Sequence, residues 1–159
     1  MAATYADWTT RLTALDLLAG ADDSRLREVI DSLPPEVKPA IPPRVYVHVP
    51  DPTDADSNKL DTVRKAIRDL PLRPEKNQTR TIVPKTIVDK TAKAPATTEV
   101  RCYEGEESRA MAQILTTKLI QLGFPKAHIF QNKPTPADRT ETRDISSHLE
   151  VWFAQGDLP

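Results

Sequence analysis

The strongest constraint on the fold is a strand–helix pattern that occurs twice along the chain. In "RVYVHV", residues 44–49, valines alternate with larger polar or aromatic side chains, as expected of a strand with one buried face. Proline and aspartate then end the strand, and Asp56 or Ser57 is placed to cap a helix. The buried stripe of that predicted helix consists of Leu60, Val63, Ile67 and Leu70.

The second copy of the pattern begins with "TEVRCY", residues 98–103, followed by an acidic junction. A helix is predicted over residues 108–122, because apolar side chains recur there at three- and four-residue spacing. Gly123 suits the left-handed position after a helix, and Pro125 prevents the helix from continuing.

Each unit returns to further β-prone segments. These are residues 81–83 and 86–88 in the first unit, then residues 127–131 and the final "HLEVWF" at residues 148–153 in the second. The order predicts an α+β fold, a ferredoxin-like split β-α-β sandwich, over residues 44–159. We expect a mainly antiparallel sheet with both helices on one face.

The first 33 residues predict a helical hairpin, with Gly20 between its two helices. Two short helices bury their apolar stripes only against a further surface, so we expect them to bind a partner chain or to self-associate. The predicted contact residues are Tyr5, Trp8, Leu12, Leu15, Leu26, Val29 and Ile30. Residues 34–43 hold five prolines and predict a semi-rigid linker between residues 1–33 and the domain at 44–159.

Composition excludes several classes of protein. The net charge of −1 provides no global basic field for nucleic acid or an anionic membrane. A single cysteine forms no internal disulfide, no signal peptide is recognisable, and no window is apolar enough for a membrane span. We therefore expect a cytoplasmic protein with no membrane association. Residues 59–101 nevertheless carry eleven basic against five acidic side chains, which leaves weak nucleic-acid binding as an alternative, through Lys85, Lys90, Lys93 and Arg101.

Cys102 and Arg109 look at first like a phosphatase loop, but that loop requires five intervening residues and the sequence has six. Three glutamates also lie between them and would repel a phosphate dianion. Cys102 shares a strand side with Val100, so we predict a buried structural residue. No catalytic residue is assigned.

The three histidines, His48, His128 and His148, all fall in predicted strands. Neighbouring strands would bring them together on the open sheet face, but no spacing pre-forms a metal-binding pair, and we predict no metal and no cofactor. On the same face, Tyr46, His48 and Trp152 are the predicted second contact surface for a protein partner, together with Glu150.

The segment "VRCYEGEESRAMAQILTTKLIQLGF" resembles the repeat unit of SPOR and LytR C-terminal-like domains. The matching positions are Val100, Arg101, Tyr103, the acidic junction, the helix at 112–122 and Gly123. The final strand, residues 148–153, resembles that of modules at the C-terminal ends of multidomain bacterial signalling and peptidase proteins. The resemblance implies a ferredoxin-like module that binds and does not catalyse.

These observations predict a non-catalytic adaptor module for protein–protein interaction in a bacterial multiprotein or multidomain system. The alternatives are a small ligand-sensing domain or enzyme that uses the strand face, and weak nucleic-acid binding through the basic middle third.

Overall fold

The computed structural model describes residues 42–76, 81–89, 93–132 and 148–158. Its elements in chain order are β1 (Arg44–Val49), α1 (Asn58–Arg68), β2 (Ile87–Val88), β3 (Glu99–Cys102), α2 (Glu106–Gln121), β4 (His128–Gln131) and β5 (His148–Trp152). Short 3-10 helices at Pro52–Asp56 and Pro74–Lys76 lie on either side of α1. The predicted hairpin at residues 1–33 and most of the linker lie outside the described residues.

The five strands form one mixed sheet in the order β2-β1-β5-β3-β4. β1 pairs in parallel with β2 and with β5, and β3 pairs in parallel with β4. Only the β3–β5 pairing is antiparallel within the described residues, so the expectation of a mainly antiparallel sheet is wrong. A helix connects the two strands of each parallel unit, because parallel neighbours need a crossover connection.

The ferredoxin-like split β-α-β arrangement is not confirmed. In that arrangement a strand from elsewhere separates the two parallel strands of each unit. Here β1 pairs directly with β2, β3 pairs directly with β4, and β5 lies between the two units. Within each unit the two parallel strands pair directly with each other, which leaves one hydrogen-bonding edge of β1 and one of β3 unpaired within the unit. β5 hydrogen-bonds to both of these edges.

Both helices cover one face of the sheet, as predicted. The core contains alternate residues of β1, β3 and β5 together with the apolar stripes of both helices. Its fully buried members include Val47, Val100, Val151, Leu60 and Leu115. The other face of the sheet is therefore left to the residues that alternate with these.

Local signals set the start of α1 and the end of α2 close to the predicted places, whereas α2 begins at Glu106, two residues before the predicted start. The Ser57 hydroxyl caps α1 by accepting a hydrogen bond from the Leu60 backbone N–H at 3.1 Å. After α2, Gly123 adopts a φ of 99°. The Phe124 N–H donates to the Leu119 carbonyl at 3.1 Å and the Gly123 N–H donates to the Ile120 carbonyl at 3.2 Å, which is the Schellman pattern.

The Gly123→Ala substitution tests this helix end. A Cβ at this position meets no atom within 4 Å, so the cost comes only from holding an L-residue at positive φ. We expect the free energy of unfolding to fall by about 1–2 kcal/mol. Urea denaturation measures this, with Gln121→Ala on the exposed last turn as the control. Equal stability of the two variants would contradict the strain at Gly123.

Candidate functional site

The face of the sheet opposite the helices is polar and aromatic, and we call it the polar sheet face. Alternation along each strand places these residues there, because their neighbours in sequence face the core. Two rows of side chains cross the four strands β1, β5, β3 and β4: His48–Trp152–Glu99–His128 and Tyr46–Glu150–Arg101–Phe130. Arg44, His148 and Tyr103 also lie on the polar sheet face, together with Asp89, which contacts His48.

Trp152 lies between two planar side chains that cover both faces of its ring. The His48 imidazole stacks on it with a centroid distance of 4.0 Å and an interplanar angle of 6°. The Arg101 guanidinium carbon lies 4.0 Å from the ring centroid in a cation–π contact. Because β5 lies between β1 and β3, these two side chains approach the indole from opposite sides. The two contacts reduce the area of the indole faces that is open to another molecule.

Glu150 is the acceptor at the centre of the polar sheet face. It accepts a hydrogen bond from the Trp152 indole nitrogen at 2.7 Å, and His148 Nε2 lies 3.3 Å from its other oxygen. Burial alone would raise the pKa of Glu150, but the hydrogen bonds from His148 and Trp152 and the charges of His148 and His48 outweigh it. The pKa of this carboxyl therefore lies below its ordinary value, and Glu150 is ionised at neutral pH.

His48 lies between two carboxylates. Its Nδ1 is 2.6 Å from Asp89 Oδ2, and its Nε2 is 4.0 Å from Glu150 Oε2. Asp89 follows directly after β2, at the end of the sheet where β1 and β5 also end. A cavity of about 10 Å³ adjoins His48 and Asp89, with room for about one water molecule and no substrate.

Two further aromatic contacts involve His148. Tyr46 stacks on it with centroids 4.5 Å apart, and the Tyr103 ring meets it edge-on at 5.6 Å. Tyr46 is only 3% exposed, so this predicted contact residue is covered and does not itself offer a surface to a partner.

The outermost part of the polar sheet face is on β4 and β3. Phe130 is 46% exposed, and the side chain of His128 is 48% exposed. Arg101 extends between the Phe130 and Trp152 rings and donates to Glu99 at 3.0 Å. The carboxylates of Glu99 and Glu150 are more deeply buried than these groups. At this part of the polar sheet face, the exposed side chains are therefore Phe130 and His128, and the carboxylates of Glu99 and Glu150 lie deeper than Arg101.

Cys102 faces the core and is fully buried, as predicted from its strand register. Burial raises the pKa of its thiol, and the charge of Arg109 opposes this shift only in part. Ser108 is also buried, and its hydroxyl accepts from the Tyr103 N–H at 3.2 Å. The Cys102 thiol and the Ser108 hydroxyl thus both lie on the helix side of the sheet, away from the pair His48–Asp89.

The polar sheet face brings together the predicted contact residues Tyr46, His48 and Trp152, and all three histidines lie on it as expected. The seven predicted contact residues of the N-terminal hairpin lie outside the described residues. Sequence reasoning missed Asp89 and Phe130 as members of the site. Strand alternation indicated the side on which Phe130 lies, whereas nothing in the sequence linked Asp89 to His48.

Within the described ranges, no group of three or more histidine, cysteine, aspartate or glutamate side chains is placed to hold a metal ion. Neither α1 nor α2 has the length and apolar composition needed to cross a lipid bilayer. The chain matches no family model, no curated protein sequence and no solved structure.

The Glu150→Gln substitution tests the electrostatics of the polar sheet face. A group whose pKa is lower in the folded than in the unfolded chain stabilises above its unfolded value, and this stabilisation is lost as the pH falls through the folded value. We expect the free energy of unfolding of the variant at pH 7 to be about 1 kcal/mol lower than that of the parent. The difference from the parent should shrink as the pH falls below the ordinary value of 4.5.

Urea denaturation at a series of pH values measures this difference. Glu104→Gln, at an exposed carboxylate in the loop before α2, is the control and should change stability little at any pH. If the Glu150→Gln variant is less stable than the parent by the same amount from neutral to acid pH, the lowered pKa of Glu150 in the folded chain is contradicted.

Proposed function

We propose that this chain is a non-catalytic protein-binding module, and that the polar sheet face receives the partner. The observation that carries the proposal is the set of side chains around Trp152, which stack on one another and form hydrogen bonds within the chain. A surface held in this way loses little side-chain entropy on binding, which favours recognition. The module would serve a bacterial multiprotein or multidomain system, as the resemblance to SPOR and LytR C-terminal-like domains implies.

The partner is expected to present an acidic segment with an apolar or aromatic anchor. Arg101 supplies a cationic group, and the exposed side chains of Phe130 and His128 lie on the neighbouring strand β4. Arginine and aromatic residues contribute most of the binding energy in many protein interfaces. Charge complementarity around such an anchor steers association and selects the partner.

A role as an enzyme or ligand sensor is the first alternative. It would be supported by a cleft that brings two histidines and Cys102 within hydrogen-bonding reach. The described residues have the opposite arrangement, because the histidines lie on the polar sheet face and Cys102 lies in the core. The cavity beside His48 is also too small for a substrate, so the geometry favours binding over catalysis.

Nucleic-acid binding is the second alternative. Sheets that bind single-stranded RNA offer the open faces of aromatic rings, on which the bases stack. Both faces of Trp152 are occupied by His48 and Arg101, which disfavours that mode. Strongly salt-dependent binding to oligonucleotides, lost on substitution of Lys85 and Lys93, would support it nonetheless.

The Phe130→Asp substitution tests the proposed interface. We expect the affinity for the partner to fall roughly tenfold or more. The substitution removes the exposed phenyl ring and introduces a carboxylate, which repels an acidic partner. Ile120→Asp is the matched control, because Ile120 is equally exposed at 46% but lies on α2, behind the other face of the sheet. Both variants should keep the stability of the parent.

The measurement is affinity capture from cells that produce the chain, followed by quantitative mass spectrometry. The proposed interface is supported by any protein that is recovered with the parent and with Ile120→Asp but not with Phe130→Asp. It should then bind the purified chain directly. Equal recovery by all three chains would contradict the proposed interface.

The N-terminal stripe is proposed as a second contact, for a partner or for self-association. Deletion of residues 1–33 should change the oligomeric state or remove a captured partner, because it removes every residue of that stripe. Light scattering after size-exclusion chromatography measures the oligomeric state. In the full-length chain, Leu12→Asp should reproduce the deletion, whereas Thr10→Asp, off the predicted stripe, should not. An unchanged oligomeric state and unchanged capture after the deletion would refute this contact.

A further inference from the structure

The described residues form a groove of about 350 Å³ between the end of α1 and the outer side of α2, and we call it the helix groove. Its apolar lining consists of Leu70, which follows α1, and Ile114 of α2. Both side chains are half-buried and pack against the core. The other lining residues are polar: Gln113, Thr117, Lys118 and Gln121. Because the groove lies on the helix side of the sheet, it is separate from the polar sheet face.

The form of the helix groove favours one kind of occupant. A small-molecule site encloses most of its ligand and directs several polar groups toward it, whereas this groove is an open surface with an apolar lining between two helices. An amphipathic helix instead lays its apolar stripe into such a groove, through side chains at positions i, i+3, i+4 and i+7. The helix groove therefore fits an amphipathic helix better than a small ligand.

The sequence contains this spacing immediately before the proline-rich linker. Leu26, Val29, Ile30 and Leu33 occupy the positions i, i+3, i+4 and i+7 of the second predicted helix, and Pro34 ends it. An isolated helix of about twelve residues is only marginally stable in water, so its apolar stripe requires a further surface. The chain thus carries its own candidate for the helix groove.

The linker joins the described domain beside the helix groove. The Pro43 carbonyl accepts a hydrogen bond from the Ile82 N–H at 2.8 Å, and the Thr81 hydroxyl donates to the Leu70 carbonyl at 2.9 Å. Because Thr81 and Ile82 are consecutive, the end of the linker lies close to a residue that lines the groove. The linker spans up to about 30 Å when extended, at about 3 Å per residue. It is therefore long enough to place the second predicted helix in the helix groove.

The distribution of charge supports the same occupant. Among the described residues that line the helix groove, Lys118 alone is charged. The segment 22–33 has four acidic and two basic side chains, and none of these six belongs to its apolar stripe. Opposite charges beside an apolar contact favour association and fix its orientation.

We propose that the segment 22–33 docks into the helix groove of its own chain, with its apolar stripe against Leu70 and Ile114. The docking deepens the proposed second contact and rests on it, because only the stripe of the first predicted helix then remains for a partner or for self-association. That stripe consists of Tyr5, Trp8, Leu12 and Leu15.

Hydrogen exchange of the full-length chain, followed by mass spectrometry, tests the docking. We expect the amides of residues 22–33 to exchange at least about tenfold more slowly in the parent than in Ile114→Asp, because a carboxylate in the apolar lining disfavours the stripe. Ile120→Asp is the matched control and should keep the slow exchange, because Ile120 lies on α2 but does not line the helix groove. Unprotected amides in the parent, or equal protection in Ile114→Asp, would overturn the docking.

Cross-linking in the full-length chain provides a second test, which decides if circular dichroism shows that Ile114→Asp does not fold. A short bismaleimide should join the pair Ile30→Cys and Thr117→Cys within one chain, but not the pair Ile30→Cys and His128→Cys. Thr117 and His128 are both exposed, but His128 lies on the polar sheet face. Cys102 is buried and does not compete for the reagent. Equal cross-linking of the two pairs would overturn the docking, and so would products that join two chains, which would make a second copy the occupant.

The Leu12→Asp substitution separates the docking from the proposed second contact. It changes the stripe of the first predicted helix and should leave the slow exchange of residues 22–33 intact. If it abolishes the slow exchange, self-association protects the segment and docking within the chain is overturned. If the docking tests succeed but Leu12→Asp changes neither the oligomeric state nor the captured proteins, the docking stands and the proposed second contact is wrong.

Discussion

The rest of the structure depends on the two-sided pairing of β5. This strand hydrogen-bonds in parallel to β1 and antiparallel to β3, and so joins two β-α-β units that are each complete in themselves. One side of β5 contributes Leu149 and Val151 to the core under both helices. The other side places Glu150 and Trp152 at the centre of the polar sheet face. Stability and the proposed interface are therefore built on alternate residues of the same strand.

The contacts around Trp152 limit which groups the polar sheet face would offer to the proposed partner. Cross-strand aromatic and charged pairs each contribute about 0.2–1 kcal/mol, and here they share members across four strands. Because His48 and Arg101 pack against the indole ring of Trp152, the proposed interface would rely more on the Arg101 guanidinium and the exposed Phe130 ring. Such a surface is suited to side chains of a protein partner better than to stacked bases.

Part of the candidate site could be predicted from local patterns. Alternation within β1 and β5 was enough to place Tyr46, His48 and Trp152 on one side, since a strand turns successive side chains to opposite faces. It did not predict that Tyr46 is buried, because burial depends on what the neighbouring strands and loops place over the ring. Asp89 was missed because its contact with His48 exists only once β2 lies beside β1.

The sequence by itself determined the local structure: two strand–helix units, the Ser57 cap, the Gly123 helix end and the inward orientation of Cys102. Each of these depends on residues within a few positions of one another, where periodicity and backbone preferences act directly. Only the tertiary structure decided the order of the strands. Several strands show the same alternation, so no local pattern specifies which edge pairs with which. The order is set by β5, because this strand pairs with the open hydrogen-bonding edges of both β1 and β3 and buries its apolar side under both helices.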